Sequence, residues 1–102
     1  MSLYLAIDAG GTKAEYVLAD ESRVLSTTRA GTIKRMRVSA EAAASNLRMA
    51  LAELESQSAR SLTEVDVTCI GTAGDTVPLV TNWLQQELGS RVGGRLLLLG
   101  DV

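Results

Sequence analysis

Apolar residues along the chain form short segments separated by turn-forming residues, and this pattern predicts five strands. The predicted strands are 3–8, 15–20, 24–29, 65–70 and 96–99. The first of them is almost continuously apolar, so we expect a strand that is buried on both faces. The first three are joined by short connections, which require antiparallel pairing because a parallel crossover needs about a dozen residues or more.

Two longer segments predict helices that pack on this sheet. In the first, Ser39 is a candidate N-cap, and the apolar residues after it recur at helical spacing: Ala43, Leu47, Ala50, Leu51 and Leu54. In the second, Asp75 or Thr76 is a candidate cap and Gly89 marks the C-terminal end. The order β-β-β-α-β-α-β predicts an α/β fold, with a mixed five-stranded sheet and two right-handed crossovers.

Length and composition narrow the possible functions. A chain of 102 residues forms at most one domain, so we treat residues 1–102 as a single subdomain. A net charge of −2 offers no basic surface, and we expect no nucleic-acid partner. The absence of histidine and the single Cys69 exclude His-based catalytic pairs and sites held by several thiolates. No apolar run could cross a bilayer, so we expect a cytoplasmic protein without a membrane partner.

The connection between the first two predicted strands has the residues of an anion-binding turn. Gly10 and Gly11 lack a Cβ, so a ligand can approach the main chain, and successive amides in such a turn form an anion-binding concavity. Thr12 adds a hydroxyl and Lys13 a positive charge, and both suit phosphate oxygens. Asp8 ends the first strand beside this turn and could hold Mg²⁺ through water. An ordinary hairpin turn is the alternative.

Two common phosphate loops do not fit this segment. A P-loop has Gly-Lys-Ser/Thr at the start of a helix, and a dinucleotide-binding loop has Gly-x-Gly-x-x-Gly in the same place. Here neither spacing is present, and a predicted strand follows residues 10–13 instead. A phosphate site on a strand–turn–strand hairpin is the interpretation that remains.

Residues 8–13, Asp-Ala-Gly-Gly-Thr-Lys, resemble the first phosphate motif of the sugar-kinase, heat-shock-chaperone and actin superfamily. The whole chain is similar to the N-terminal part of the BadF/BadG/BcrA/BcrD ATPase family, which includes N-acetylglucosamine kinases. The resemblance implies a ribonuclease-H-like half-lobe that uses ATP and Mg²⁺. It also implies that a second lobe of the same protein, with the rest of the nucleotide site, lies outside this chain as its partner.

The resemblance gives a role to two further segments. Asp101 follows the fifth strand, where the family's kinases have an Asn-Asp pair whose Asp is the general base; here Gly100 replaces the Asn. A plain turn after the strand is the alternative for Asp101. The family's Gly-Leu-Ala-Gly stretch is matched, as a candidate substrate loop, by Gly71, Thr72, Ala73 and Gly74. A strand-to-helix connection that needs small residues explains these four equally well.

Three functions follow from these residues. The first is ATP-dependent phosphoryl transfer to a sugar or amino sugar, in which residues 10–13 bind phosphates, Asp8 orients Mg²⁺ and Asp101 is the base. The second is an ATPase that couples hydrolysis to a conformational change in a partner, as reductase activators do. The third is a non-catalytic module that senses a nucleotide or sugar. We expect the isolated 102 residues to fold but neither to bind ATP tightly nor to turn it over, since catalysis needs both lobes.

Two surfaces remain without a clear ligand. Residues 31–37 lack the Asn that sugar-binding relatives often carry, which counts against an amino-sugar substrate. We interpret their basic side chains as a solvated loop, with contact to an anionic substrate or to the second lobe as alternatives. The fifth strand is predicted at a sheet edge, and an uncovered edge favours self-association. A homodimer is therefore a further expectation.

Overall fold

The elements of the fold follow the predicted order. The computed structural model describes residues 2–10, 12–33, 39–72, 78–89 and 91–100. The elements are β1 (Leu3–Ala9), β2 (Lys13–Asp20), β3 (Val24–Gly31), α1 (Ala40–Ser58), a short 3-10 helix (Leu62–Glu64), β4 (Val67–Thr72), α2 (Pro78–Gly89) and β5 (Arg95–Gly100). The 3-10 helix was not predicted, and the two α-helices lie where the apolar spacing indicated.

The five strands form one mixed sheet in the order β3-β2-β1-β4-β5. The first three strands form an antiparallel meander. Strand β4 then pairs with β1, and β5 with β4, in parallel. The predicted α/β architecture is confirmed. This arrangement brings the C-terminal ends of β1, β4 and β5 to the same edge of the sheet, since all three strands run in one direction.

Strand β1 is buried on one face only, and the expectation of burial on both faces is wrong. Its residues alternate between buried positions and exposed positions, the exposed ones being Tyr4, Ala6 and Asp8. Helix α1 packs against β2 and β3, and Leu88 of α2 belongs to the same buried cluster, so the described helices cover one face. Tyr4 and Ala6 are apolar residues on the other face, and they hide the alternation in the sequence.

Helix α1 begins and packs as predicted. The Ser39 hydroxyl accepts a hydrogen bond from the Ala42 amide (3.2 Å), which satisfies one of the free donors at the helix start. The predicted apolar stripe is buried in full against the sheet. Leu47 and Leu54 are completely buried, and such burial stabilises the fold by about 1.5–3 kcal/mol for each side chain. The stripe holds α1 against β2 and β3.

Helix α2 extends from Pro78 to Gly89, which confirms its predicted C-terminal end. Its predicted caps, Asp75 and Thr76, lie outside the described residues. Within the ranges that the structure describes, no helix is both long and apolar enough to span a membrane.

Candidate phosphate-binding hairpin

The β1–β2 hairpin is closed by a tight turn at the predicted phosphate motif. Ala9 pairs with Ala14 as the last pair of the ladder, and the Gly10 amide donates to the Lys13 carbonyl at 3.0 Å. The Gly10 amide is therefore used inside the turn and does not offer its N–H to a ligand. Thr12 and Lys13 are exposed. Gly11 lies outside the described residues, so its predicted role stays a prediction.

Gly10 is required by a close approach of main-chain atoms. A Cβ at this position would lie 2.7 Å from the Lys13 carbonyl oxygen, much closer than real Cβ contacts allow. Gly10 does not adopt a positive φ, and the described glycine that does is Gly94. Gly10 therefore allows the turn to close tightly, whereas a positive φ and the approach of a ligand were the reasons expected for a glycine here.

Asp8 lies on the open face of the sheet, next to the hairpin turn. Its neighbours in the ladders are Glu15 on β2 and Gly71 on β4. Glu15 forms an ion pair with Arg29 of β3 (3.5 Å), and both side chains are half-exposed or more, so this pair contributes little to stability. No hydrogen bond or ion pair between the described residues engages the Asp8 carboxylate. This carboxylate therefore faces solvent at the edge where a ligand would approach.

Gly71 leaves open space beside Asp8. A Cβ built on Gly71 would meet no atom within 4 Å. Because paired residues share a face of the sheet, this space adjoins the Asp8 carboxylate. Gly71 thus leaves room for a ligand to reach the Asp8 carboxylate, and a larger side chain at position 71 would narrow this space.

Gly71 and Thr72 belong to strand β4 and not to a loop after it, which corrects the predicted strand end. Their main chains pair on both sides, Gly71 between Asp8 and Leu99 and Thr72 between Ala9 and Gly100. Pairing with two neighbouring strands extends β4 through small residues that are typical of a turn. The rest of the predicted substrate loop, Ala73 and Gly74, lies outside the described residues.

The predicted base, Asp101, lies outside the described residues, but the strand that leads to it is described. Gly100, the last residue of β5, is in register with Thr72, which is in register with Ala9. The three strand ends that precede Gly10, Ala73 and Asp101 are thus side by side. The candidate segments follow one edge of the sheet, which is where open α/β sheets bind ligands.

The residues at this edge fit a magnesium ion that is held mainly by water and phosphate. The described residues contain no group of three or more acidic or cysteine side chains that could form a protein cage for a metal. Magnesium in phosphoryl-transfer sites is usually bound through one or two carboxylates, with water and substrate phosphates as the other ligands. Asp8, exposed and next to open space, has the position and chemistry of such a carboxylate.

Two ionisable residues with perturbed pKa values lie away from this edge. Two main-chain N–H groups, of Ser22 and Arg23, donate to the Asp20 carboxylate at 2.7 and 2.9 Å and lower its pKa. Asp20 ends β2 at the β2–β3 turn, the opposite end of β2 from the hairpin. Burial raises the pKa of Tyr16, whose side chain is enclosed in the core. Both residues therefore affect stability and not the candidate site.

Two polar residues that the sequence did not indicate are linked to the hairpin: Thr32 contacts it directly, and Asn46 contacts Thr32. The Thr32 hydroxyl donates to the Gly10 carbonyl at 2.8 Å, and the Asn46 side-chain amide donates to the Thr32 carbonyl at 2.9 Å. Thr32 belongs to the segment that was predicted to be a solvated loop, yet it and Ile33 are buried. The charged residues Lys34, Arg35 and Arg37 lie outside the described residues. A polar residue within an otherwise regular helix, Asn46, was the available signal.

Comparison with solved structures identifies the fold. The chain matches a ROK hexokinase from Thermus thermophilus (TM-score 0.72, 22% identity) over 97% of its own length and 34% of that chain. It matches a protein provisionally described as an N-acetylglucosamine kinase from Porphyromonas gingivalis (TM-score 0.73, 21% identity) over 99% and 34%. It matches YeaZ from Pseudomonas aeruginosa (TM-score 0.65, 21% identity) over 99% and 45%. The chain has the actin-like ATPase fold.

This similarity extends to the fold and not to the sequence. No protein-family profile and no curated protein sequence matches the chain. The chain spans between a third and a half of the length of the three structures described above. The predicted ribonuclease-H-like half-lobe is confirmed at the level of fold. Membership of the BadF/BadG/BcrA/BcrD family is not shown.

Proposed function

We propose that this chain is the first half-lobe of a two-lobed enzyme that transfers the γ-phosphoryl group of ATP to a sugar or amino sugar, in the manner of the N-acetylglucosamine kinases of the BadF/BadG/BcrA/BcrD family. The arrangement of Asp8 carries this proposal. Its carboxylate is exposed at the sheet edge, beside the tight hairpin turn of Gly10 and the open space at Gly71. Two of the matched structures are described as sugar kinases, which supports the same class.

Each candidate residue has a distinct task in this reaction. Thr12 and Lys13 are exposed on the hairpin and bind phosphate oxygens through the hydroxyl and the ammonium group. Asp8 would hold Mg²⁺ through water, and the bound ion would supply positive charge to neutralise the phosphates. The Gly10 amide is bonded to the Lys13 carbonyl, so we assign the predicted glycine contact to phosphate to Gly11, on its place in the motif alone.

Asp101 is the proposed general base. The acceptor hydroxyl oxygen forms a bond to the γ-phosphorus while the bond from that phosphorus to the β–γ bridging oxygen breaks. The hydroxyl proton passes to the Asp101 carboxylate, and ADP leaves. Asp101 directly follows β5 in the sequence, and the described end of β5 lies at the edge shared by β1 and β4, which supports this role.

The test is a kinase assay on the full-length protein. ADP release is followed with ATP, Mg²⁺ and a panel of hexoses and N-acetylhexosamines, and the wild type is compared with Asp101→Asn and Asp20→Asn. Asp20 is a matched control because it is also an Asp at a strand end, and it lies at the end of β2 that is farther from the β1–β2 turn. We expect sugar-dependent turnover that falls by at least about 100-fold in Asp101→Asn and is retained in Asp20→Asn.

Other outcomes of this assay would replace the proposal. Hydrolysis that does not depend on sugar and is unaffected by Asp101→Asn would favour the coupled ATPase. Nucleotide binding without turnover would favour the sensing module. Failure of the full-length protein to bind Mg·ATP would exclude both enzymes.

A further inference from the structure

Helix α1 is connected to the hairpin turn through Thr32. We propose that Thr32 is a positioning residue of the phosphate site: its hydroxyl holds the Gly10 carbonyl in the orientation that the turn needs, and Asn46 holds Thr32. The two hydrogen bonds, 2.8 Å from Thr32 Oγ1 to the Gly10 carbonyl and 2.9 Å from Asn46 Nδ2 to the Thr32 carbonyl, carry the inference. It rests on the proposed function, because it assigns a role within the phosphate-binding turn.

The end of β3 places Thr32 level with the turn. Gly31 is the last residue of β3 and pairs with Lys13, the first residue of β2. Thr32 therefore comes next to the hairpin turn, and its hydroxyl crosses to Gly10 at the end of β1. This contact joins residues that are 22 positions apart in the chain.

Gly31 gives the Asn46 side chain its space. A Cβ on Gly31 would lie 2.7 Å from Asn46 Nδ2 and 3.0 Å from its Cγ. The amide group of Asn46 thus lies where a side chain of residue 31 would be, and from there it reaches the Thr32 carbonyl. A fixed link from α1 to the turn results from three features together: the missing Cβ of Gly31, the side-chain amide of Asn46 and the buried hydroxyl of Thr32.

The link acts on the peptide group that follows Gly10. The Gly10 amide is bonded to the Lys13 carbonyl and the Gly10 carbonyl to Thr32, so both polar groups of this residue have partners. These two bonds together fix the orientation of Gly10, the residue at which the turn begins. An anion-binding turn depends on amides that point at the ligand before it arrives, because this ordering then costs nothing on binding.

The burial of Thr32 distinguishes a positioning role from direct contact with the nucleotide. Thr32 is 5% exposed, so it acts through Gly10 and does not itself contact phosphate. Ser26 is a matched control, because it is also 5% exposed and its hydroxyl also donates to a main-chain carbonyl, that of Leu54 in α1 (3.2 Å). Ser26 lies on β3, the strand that leads to Thr32, at a distance from the β1–β2 hairpin.

The experiment compares Mg·ATP binding and unfolding of the full-length wild type with Thr32→Val, Thr32→Ser and Ser26→Ala. Valine keeps the shape of threonine without the hydroxyl, and serine keeps the hydroxyl. We expect Thr32→Val to weaken Mg·ATP binding by about tenfold. We expect Thr32→Ser and Ser26→Ala to bind within about twofold of wild type. A purely structural role would give Ser26→Ala and Thr32→Val the same affinity.

The possible results separate this inference from the proposed function. If the wild type binds Mg·ATP and Thr32→Val binds as tightly as Ser26→Ala, the positioning role is wrong and the proposed function stands. If the wild type does not bind Mg·ATP, the proposed function fails and the inference fails with it. If Thr32→Val does not fold, Asn46→Ala tests the second bond: we expect about threefold weaker binding, and unchanged binding overturns the inference.

Discussion

Replacement of Gly10 by alanine tests the geometry of the hairpin turn. The new Cβ would lie 2.7 Å from the Lys13 carbonyl oxygen, which is a main-chain atom and cannot rotate away as a side chain would. The hydrogen bond from the Gly10 amide to the same carbonyl (3.0 Å) would have to lengthen or bend. Gly71→Ala is the matched control, because a Cβ on Gly71 meets nothing within 4 Å.

The magnitude follows from two opposing effects. An added methyl group that forces a main-chain shift costs about 1–3 kcal/mol. Any Gly→Ala change also lowers the conformational entropy of the unfolded chain, which stabilises the folded state by about 0.4–1 kcal/mol. Gly10→Ala should therefore lower the free energy of unfolding by about 1–2 kcal/mol. Gly71→Ala receives only the second effect and should raise it by about 0.5 kcal/mol.

Denaturant unfolding of the 102-residue chain, followed by circular dichroism, measures this difference. In a domain of this size, each kcal/mol corresponds to about 4–8 °C in Tm, so a thermal melt gives an independent reading. The reasoning is refuted if Gly10→Ala is as stable as Gly71→Ala. Such a result would show that the close approach at Gly10 does not constrain the hairpin.

Three further predictions concern the core and the titratable residues. Tyr16→Phe should raise the free energy of unfolding by about 1 kcal/mol, because the buried Tyr16 hydroxyl has no hydrogen-bond partner among the residues that the structure describes. Burial raises the Tyr16 pKa, so above about pH 10 the Tyr16 hydroxyl ionises in the unfolded chain before it does in the folded one, and stability falls. Tyr16→Phe should reduce this fall in urea unfolding at alkaline pH, whereas Tyr4→Phe, at an exposed position, should not. Main-chain N–H groups lower the Asp20 pKa, so the contribution of this carboxylate to stability is present at neutral pH and is lost as the pH falls through the folded-state pKa. Asp20→Asn should therefore be less stable than wild type at pH 7 and equally stable in strong acid, and an equal difference at both pH values would contradict this. Leu47→Ala should lower the free energy of unfolding by about 2–5 kcal/mol, whereas Met49→Ala, at a residue that is 66% exposed, should change it by less than about 0.5 kcal/mol. Similar losses in the two variants would refute the assignment of the buried face of α1.

Local sequence patterns were sufficient to predict the architecture. The meander, the Ser39 cap and the α1 stripe depend on residues close in the chain, whose spacing is visible in the sequence. The mixed sheet was expected from the order of the elements, because each helix between two strands forms a crossover. The exposed face of β1 was missed because Tyr4 and Ala6 are apolar whichever way they point. The end of β4 was missed because its main-chain pairing with two strands outweighs the turn preference of Gly71.

The candidate site was predictable in part. The adjacency of Asp8 to the turn follows from the chain itself, and the meeting of the three strand ends follows from the strand order. The link from Asn46 through Thr32 to Gly10 joins three distant segments, and no local pattern encodes it. The close contact at Gly10 likewise depends on where the Lys13 carbonyl lies after the turn has closed.

The most direct test is a crystal structure of the full-length protein with Mg²⁺ and a non-hydrolysable ATP analogue. Our account predicts phosphate oxygens within hydrogen-bonding distance of Thr12 and Lys13, with Mg²⁺ on the side of the hairpin that carries the Asp8 carboxylate. A structure in which the phosphates lie at another edge of the sheet, with the β1–β2 hairpin in contact only with solvent, would contradict it.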